Sequence, residues 1–314
     1  MKNKKNFLVT GGTGFIGSNI CKLLIELGHN VTIFDNNSRG EFKRIKELNK
    51  KVKFIKGDIR DQKKFFKSLN NINSIIHLAY INGTKYFYEK PELILDVAVK
   101  GLVNIFDGCK KFRIKELYLA SSSEVYQTPL KVPTPEEEPL KIPDVNNPRF
   151  SYGGGKILTE LMGINYGRKF FTKIIIFRPH NVYGSNMGNE HVIPELIKKM
   201  EKIKKKKHLK IQGTGREIRS FIYIKDFISG FHKLLTRGKH LQIYNIGTTQ
   251  SITIKDLVLK ISKIMKKRIK IKTSDLKKGS TKVRKPNITK IRKLGFKPKY
   301  TLDQGLKEII FNKK

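Results

Sequence analysis

Tyr152 and Lys156 stand four residues apart at the start of a predicted helix, which puts both side chains on one face. An ammonium beside a phenol favours the phenolate, so the pair is a candidate base for chemistry near neutral pH. The spacing alone also fits a half-buried tyrosine next to a solvated lysine. A second element adds weight: Leu119-Ala120-Ser121-Ser122-Ser123-Glu124-Val125-Tyr126, at the C-terminal end of a predicted strand. Ligands of open α/β sheets bind beyond such strand ends. Ser122 and Ser123 offer hydroxyls there. Glu124, two residues past Ser122 on an extended segment, is expected to point to the same side; its alternative task is to cap the turn.

A third group handles phosphate. Phe7-Leu8-Val9-Thr10 runs into Gly11-Gly12-Thr13-Gly14-Phe15-Ile16-Gly17 and then a helix. Gly11 permits a tight turn, Gly14 lets backbone approach a pyrophosphate, and Gly17 lets helix and strand pack closely. The helix start at Phe15 and Ile16 supplies free N–H groups and a partial positive charge. Asp35 closes the second strand at the distance from which a carboxylate binds the adenosine ribose and repels a 2′-phosphate, so the expected cofactor is NAD. Arg39 is the one nearby group able to bind that phosphate instead.

These residues need a scaffold. Strand candidates at Phe7–Thr10, Val31–Asp35, Val52–Lys56, Ser74–Leu78, Glu116–Ala120 and Lys173–Arg178 alternate with helical patterns near 15–28, 40–49, 61–70, 91–112 and 151–170. Strict alternation predicts an α/β fold, a doubly wound parallel sheet of the Rossmann type. The expected division is a dinucleotide-binding domain over 1–180 and a smaller, irregular substrate lobe over 181–314. Phe221–Leu235 and Gln242–Gly247 are expected to return to the main sheet, and a helix is expected at Pro194–Lys204. The stretch from Gln127 to Phe150, with six prolines, is long for a structureless loop and therefore reads as functional.

Composition sets outer limits. In 314 residues, 66 Lys and Arg against 26 Asp and Glu give a formal charge of +40, which raises nucleic acid as a partner. Only 13 of those cations are arginine and the lysines are spread throughout, so a compositional drift on a solvated surface is the simpler account and no nucleic acid is expected. No run of 18 apolar residues exists, and Met1–Thr10 is too short in apolar residues for a signal peptide. Cys21 and Cys109 have no metal spacing, so neither a metal nor a disulfide is expected, and the protein is read as cytoplasmic.

Over essentially its whole length the chain resembles the NAD-dependent nucleotide-sugar epimerase/dehydratase family of extended short-chain dehydrogenases. The resemblance is carried by Thr10–Gly17, Gly57-Asp58-Ile59-Arg60-Asp61, His77-Leu78-Ala79, Ser121–Tyr126 and Tyr152–Lys156. It continues through Arg178–Gly184, Gly213-Thr214-Gly215, Arg219–Asp226 and Tyr244-Asn245-Ile246-Gly247. It implies that Asp58 and Ile59 flank the adenine and that Leu78 and Ala79 line the dinucleotide. Tyr152 becomes the base toward a sugar hydroxyl. Lys156 holds the nicotinamide ribose and lowers the tyrosine pKa, and Ser122 bonds the reacting oxygen. Asn181, Arg219 and Arg284 bind the nucleotide diphosphate, with Ser123 at the substrate, and a homodimer is implied.

Three features depart from the family's pattern. Ala98 stands where many members have asparagine, Asn287 where the tail often has aspartate, and Tyr80–Pro91 with Tyr86-Phe87-Tyr88 lacks a common serine. Gly153-Gly154-Gly155 is unusual in a helix, and crossing helices at a dimer seam are its expected reason. In the family an acid at the position of Glu124 marks 4,6-dehydratases and a uronate decarboxylase, with Glu124 as second acid/base. A 4-epimerase, which needs no such group, is the alternative. A non-catalytic RNA-binding member and a reductase of a non-nucleotide ketone are the remoter alternatives. The intact Ser122, Tyr152 and Lys156 argue against the first of these, and Arg219 and Arg284 against the second.

Overall fold

The computed structural model describes residues 4–188, 190–203, 208–276 and 278–311. Its centre is a seven-stranded, all-parallel sheet. In chain order the strands are β1 (Asn6–Thr10), β2 (Asn30–Asp35), β3 (Val52–Lys56), β4 (Ser74–His77), β5 (Glu116–Ala120), β6 (Lys173–Pro179) and β7 (Gln242–Ile246). Their spatial order is β3-β2-β1-β4-β5-β6-β7, so the winding reverses between β1 and β4. That reversal opens a crevice at the C-terminal strand ends.

The strands are apolar on both faces because both faces are covered. Phe7, Val9, Ile33, Ile76, Tyr118, Ile175 and Phe177 enter one core with Ile20 and Leu24 of α1 (Phe15–Glu26). The alternating Leu8, Phe34, Ile75, Leu117, Leu119, Ile174 and Ile176 enter a second core with α2 (Gln62–Lys67), α4 (Pro91–Lys111) and α5 (Phe150–Phe170). Between α2 and α4 lies α3 (Thr84–Glu89). Side chains at odd and even positions thus divide cleanly between two layers, as the period of two requires.

Several local expectations differ. The stretch expected as a helix near 40–49 is a 3-10 segment, Phe42–Lys51, whose lysine-rich sequence fully buries only Ile45 among its described side chains. Tyr80–Pro91 is not all loop, since α3 occupies half of it. Of the segment expected to rejoin the sheet from 221, Ile222–Tyr223 pairs with Val182–Tyr183 outside the main sheet, and Ile224–Arg237 is a helix packed on α1 and β6. The helix expected at Pro194–Lys204 runs Val192–Lys202, and Lys204 lies outside the described residues.

The proline-rich segment is a strap. Thr134 pairs with the C-terminal segment (Thr134 N–H to Lys285 O, 2.8 Å; Asn287 N–H to Thr134 O, 2.8 Å), and the Glu136 carboxylate accepts from the Asn245 amide of β7 at 2.8 Å. It thereby ties the Val283–Arg284 strand to the main sheet. That strand pairs with Ile218–Arg219, which in turn pairs antiparallel with Ile252–Thr253.

Candidate active site

The crevice at the strand ends is a cleft of about 900 Å³ lined by residues from both halves of the chain. On one side β1 ends and the chain turns through Gly11 at φ +72°. A Cβ there would lie 2.8 Å from the Ala79 nitrogen, and one at Gly17 would overlap the Gly11 carbonyl oxygen. Only glycine fits either place. Helix α1 starts without a side-chain cap or an acid in its first turn, so its positive end faces the cleft, where Gly14, Phe15 and Ile16 line it and Gly17 lies behind. The Thr10 hydroxyl accepts from the Leu78 and Ala79 amides at 3.2 Å and pairs with His77 Nδ1 at 2.8 Å. Burial pushes the His77 pKa down to about 3, leaving a neutral ring as its partner.

A smaller pocket of about 100 Å³ adjoins it, lined by Asp35, Asp58, Ile59, Leu78 and Ala79. The Asp35 carboxylate accepts from the Thr13 and Asn37 amides at 3.0 and 2.8 Å, which shapes the glycine turn around it. Arg60 bonds the Asp58 carboxyl and, against burial, draws its pKa down to about 2, with Asn36 donating at 2.9 Å. Arg39 also lines this pocket, with its guanidinium meeting Glu190 at 3.2 Å and stacked over Tyr86 at 4.6 Å. A bare glycine cradle, an uncapped helix end and a carboxylate at the end of β2 fit a dinucleotide without a 2′-phosphate.

The other side carries the reactive groups. Tyr152 lies within α5, its ring stacked on Phe87 (centroids 4.9 Å, 24°) and edge-on to Tyr80. Lys156, one turn on, donates from Nζ to the Ala120 carbonyl at 2.7 Å and stands 5.9 Å from the Tyr152 ring centroid. Sequence reasoning expected the lysine to dominate the phenol. In the structure burial does so, raising the Tyr152 pKa above its ordinary value, opposed by a hydrogen bond from Ser122 and by Arg284. Burial also pulls Lys156 down to about 7, with Glu160 opposing it.

Ser122 and Glu124 do not alternate along an extended strand. Ser123–Val125 is a 3-10 turn, and the Ser122 hydroxyl caps it by accepting from the Glu124 amide at 3.2 Å. The turn still brings both side chains, and Ser123, to the cleft. There Glu124 is gripped by Arg284 through two bonds of 2.6 and 2.7 Å, with Arg149 at 3.7 Å. Burial pushes the Glu124 carboxyl up, but these guanidiniums outweigh it and hold it below the ordinary range. Arg219 and Arg284 are register partners in a parallel ladder, so two like charges sit side by side. Burial, and then Arg284, pull the Arg219 pKa down to about 9. Arg219 donates to the Ile218, Thr281 and Lys282 carbonyls. Asn181, at φ +42°, donates to the Ser220 carbonyl at 3.2 Å and lines the same wall.

The run Gly153-Gly154-Gly155 of α5, expected at a seam between chains, is packed against its own chain. Cβ atoms there would meet Gln127 at 153 (2.6 Å), Ile142 at 154 (3.3 Å) and the Tyr80 hydroxyl at 155, all of the same chain. The sequence reading missed Arg149, Tyr80 and Phe87. Arg149 had a signal in its place one helical turn before Tyr152, and Phe87 lay in a segment already marked as unusual. Among the described residues no cluster of His, Cys, Asp and Glu is arranged to hold a metal, and no helix is long and apolar enough to cross a membrane.

Residues 7–247 match the NAD dependent epimerase/dehydratase family. A UDP-N-acetyl-alpha-D-glucosaminuronate decarboxylase of Bacillus cytotoxicus is 30% identical over 98% of this chain and 97% of its own. A UDP-glucuronate 4-epimerase of Thermodesulfobacterium geofontis is 30% identical over 97% and 94%. The dTDP-glucose 4,6-dehydratase DesIV of Streptomyces venezuelae, solved with NAD and TYD, superposes with a TM-score of 0.88 over 97% of this chain and 95% of its own, at 23% identity.

Proposed function

Since the chain belongs to the NAD-dependent epimerase/dehydratase family, we propose that it decarboxylates a nucleotide hexuronate through a transient 4-keto sugar. NAD, when bound along Gly11–Gly17 and Asp35, supplies a hydride acceptor and later returns the hydride. Tyr152 takes the proton from the sugar hydroxyl while Ser122 holds its oxygen, and Lys156 stabilises the phenolate. Asn181 and Arg219 on the 181–314 side take the diphosphate.

The observation that carries the choice of reaction is the Glu124–Arg284 ion pair beside Tyr152. Dehydration needs a group that protonates a leaving hydroxyl, and a carboxylate locked by guanidiniums below its ordinary pKa has no proton to give. A carboxylate β to a ketone needs none: the C5–C6 bonding pair moves toward the C4 carbonyl, CO₂ departs, and C5 then takes a proton. The inner cleft also holds three guanidiniums, of Arg149, Arg219 and Arg284, against the two carboxylates of Glu124 and Glu217, a net positive wall that suits an anionic substrate. The decarboxylase among the relatives supports the same reading.

A second reading is 4-epimerisation of a similar uronate, favoured by the epimerase relative. Incubation with UDP-glucuronate and UDP-N-acetylglucosaminuronate separates the two by mass: loss of CO₂ is expected, and a new stereoisomer of unchanged mass supports epimerisation. The assembly that fits this reading is a homodimer through α4 and α5. Leu95, Val99 and Val103 form an exposed apolar stripe at four-residue spacing on α4, beside Leu161 on α5.

A further inference from the structure

Three sequence oddities meet at one side chain. Tyr80 follows β4, and its ring lies under Lys156, whose Nζ is 3.8 Å from the ring centroid. Tyr152 meets the same ring edge-on, with centroids 5.2 Å apart at 86°. The Tyr80 hydroxyl is buried and has no hydrogen-bond partner among the described residues. It rests against the Cα of Gly155, where a Cβ would overlap it, and that same point lies 2.9 Å from the Ala98 Cβ. An alanine at 155 therefore leaves the phenol no room, and a larger side chain at 98 would crowd the same slot. An unpaired buried hydroxyl is destabilising, so the ring is held there in spite of its polar tip.

We infer that Tyr80 is a positioning residue: its ring face holds the Lys156 ammonium in the cleft and its edge fixes Tyr152, within a slot that Gly155 and Ala98 leave open. The inference rests on the assignment of Tyr152 and Lys156 to the chemistry. An ammonium over an aromatic face is attracted by the ring quadrupole, most strongly where water is excluded. Few other groups stabilise this charge. Lys156 donates to the Ala120 carbonyl at the end of β5. Glu160 of α5 attracts it, but Arg178 of β6 and the Ser121 hydroxyl already hold that carboxylate. His77 of β4 is neutral, and Tyr152 of α5 is the phenol to be served. Burial draws Lys156 down to about 7, and the ring face 3.8 Å away adds to what keeps it charged at neutral pH.

The test is the pH profile of kcat/KM for the NAD-loaded enzyme as wild type, Tyr80→Phe and Tyr80→Leu. Leucine removes the π face, so the alkaline limb moves to lower pH by roughly one unit; phenylalanine keeps the face and leaves the limb in place. A Leu variant that is slower at every pH with an unmoved limb overturns the inference. A second measurement uses unfolding midpoints and retained NAD rather than turnover. Gly155→Ala lowers both in the wild type and less in Tyr80→Phe, where the nearest ring atom stands 3.3 Å from the new methyl and only the Ala98 Cβ, at 2.9 Å, still presses on it. Equal losses in the two backgrounds also overturn it. Turnover by Tyr152→Phe would instead remove the assignment on which the inference rests.

Discussion

Removing Arg284 strips a half-buried carboxylate of its bidentate partner. The Glu124 and Arg284 side chains keep 16% and 12% of their exposure, so solvent replaces the lost bond only in part. Breaking one side of such a pair costs about 3–5 kcal/mol. Arg149 at 3.7 Å remains to offset part of that, which puts Arg284→Gln near the lower end, about 3 kcal/mol. For 314 residues the unfolding entropy is roughly 0.7 kcal/mol per kelvin, so the midpoint should fall by about 4–5 °C near pH 7.5. The pH dependence follows from the signs. In the wild type the folded Glu124 pKa is lowered, so its contribution is present above the unfolded carboxyl value and lost as pH falls through the folded one. In the variant burial is opposed only by the more distant Arg149 and by Arg219, and the folded pKa rises, so acidification protonates the carboxyl and recovers stability. The gap between the melting curves should therefore narrow from pH 7.5 to 5.5. Glu124→Gln/Arg284→Gln, which leaves no orphaned charge at that pair, should recover most of the midpoint. Scanning calorimetry reads all of this. A single variant within 1 °C of wild type, or a double variant as unstable as the single, would refute the reasoning.

Three other outcomes follow. Tyr152→Phe should keep its NAD and lose about 10²–10⁴-fold in turnover, read by steady-state kinetics beside cofactor content after denaturation. Gly17→Ala places a methyl on the Gly11 carbonyl oxygen, so it should lose about 1–3 kcal/mol of stability and most of its copurifying NAD. Val99→Lys with Val103→Glu should halve the mass seen by analytical ultracentrifugation without changing the circular dichroism; an unchanged mass places the subunit contact elsewhere.

The dinucleotide end was legible because it is local. A strand, three spaced glycines and an acid closing the next strand are all read along the chain, and the structure places Gly11, Gly14 and Asp35 together. The reactive end was legible in its residues but not in its couplings. Arg284 lies 160 residues from Glu124, and only the pairing of the Val283–Arg284 strand with Ile218–Arg219, held by the proline-rich strap, brings them into contact. Ser122 and Glu124 share the cleft through a 3-10 turn, which a short run of serines does not distinguish from an extended end. The glycine triplet was visible, but the reason for Gly155 is a tyrosine 75 residues earlier whose ring lies under Lys156, while Gly153 and Gly154 face Gln127 and Ile142.

The most direct measurement feeds the enzyme a nucleotide hexuronate labelled with ¹³C at its carboxyl, in D₂O, and follows it by NMR. The account predicts that the label leaves as CO₂ and bicarbonate while the pentose product gains deuterium at C5. Label retained in a hexuronate that has inverted at C4, or lost water with the carboxyl intact, would contradict it.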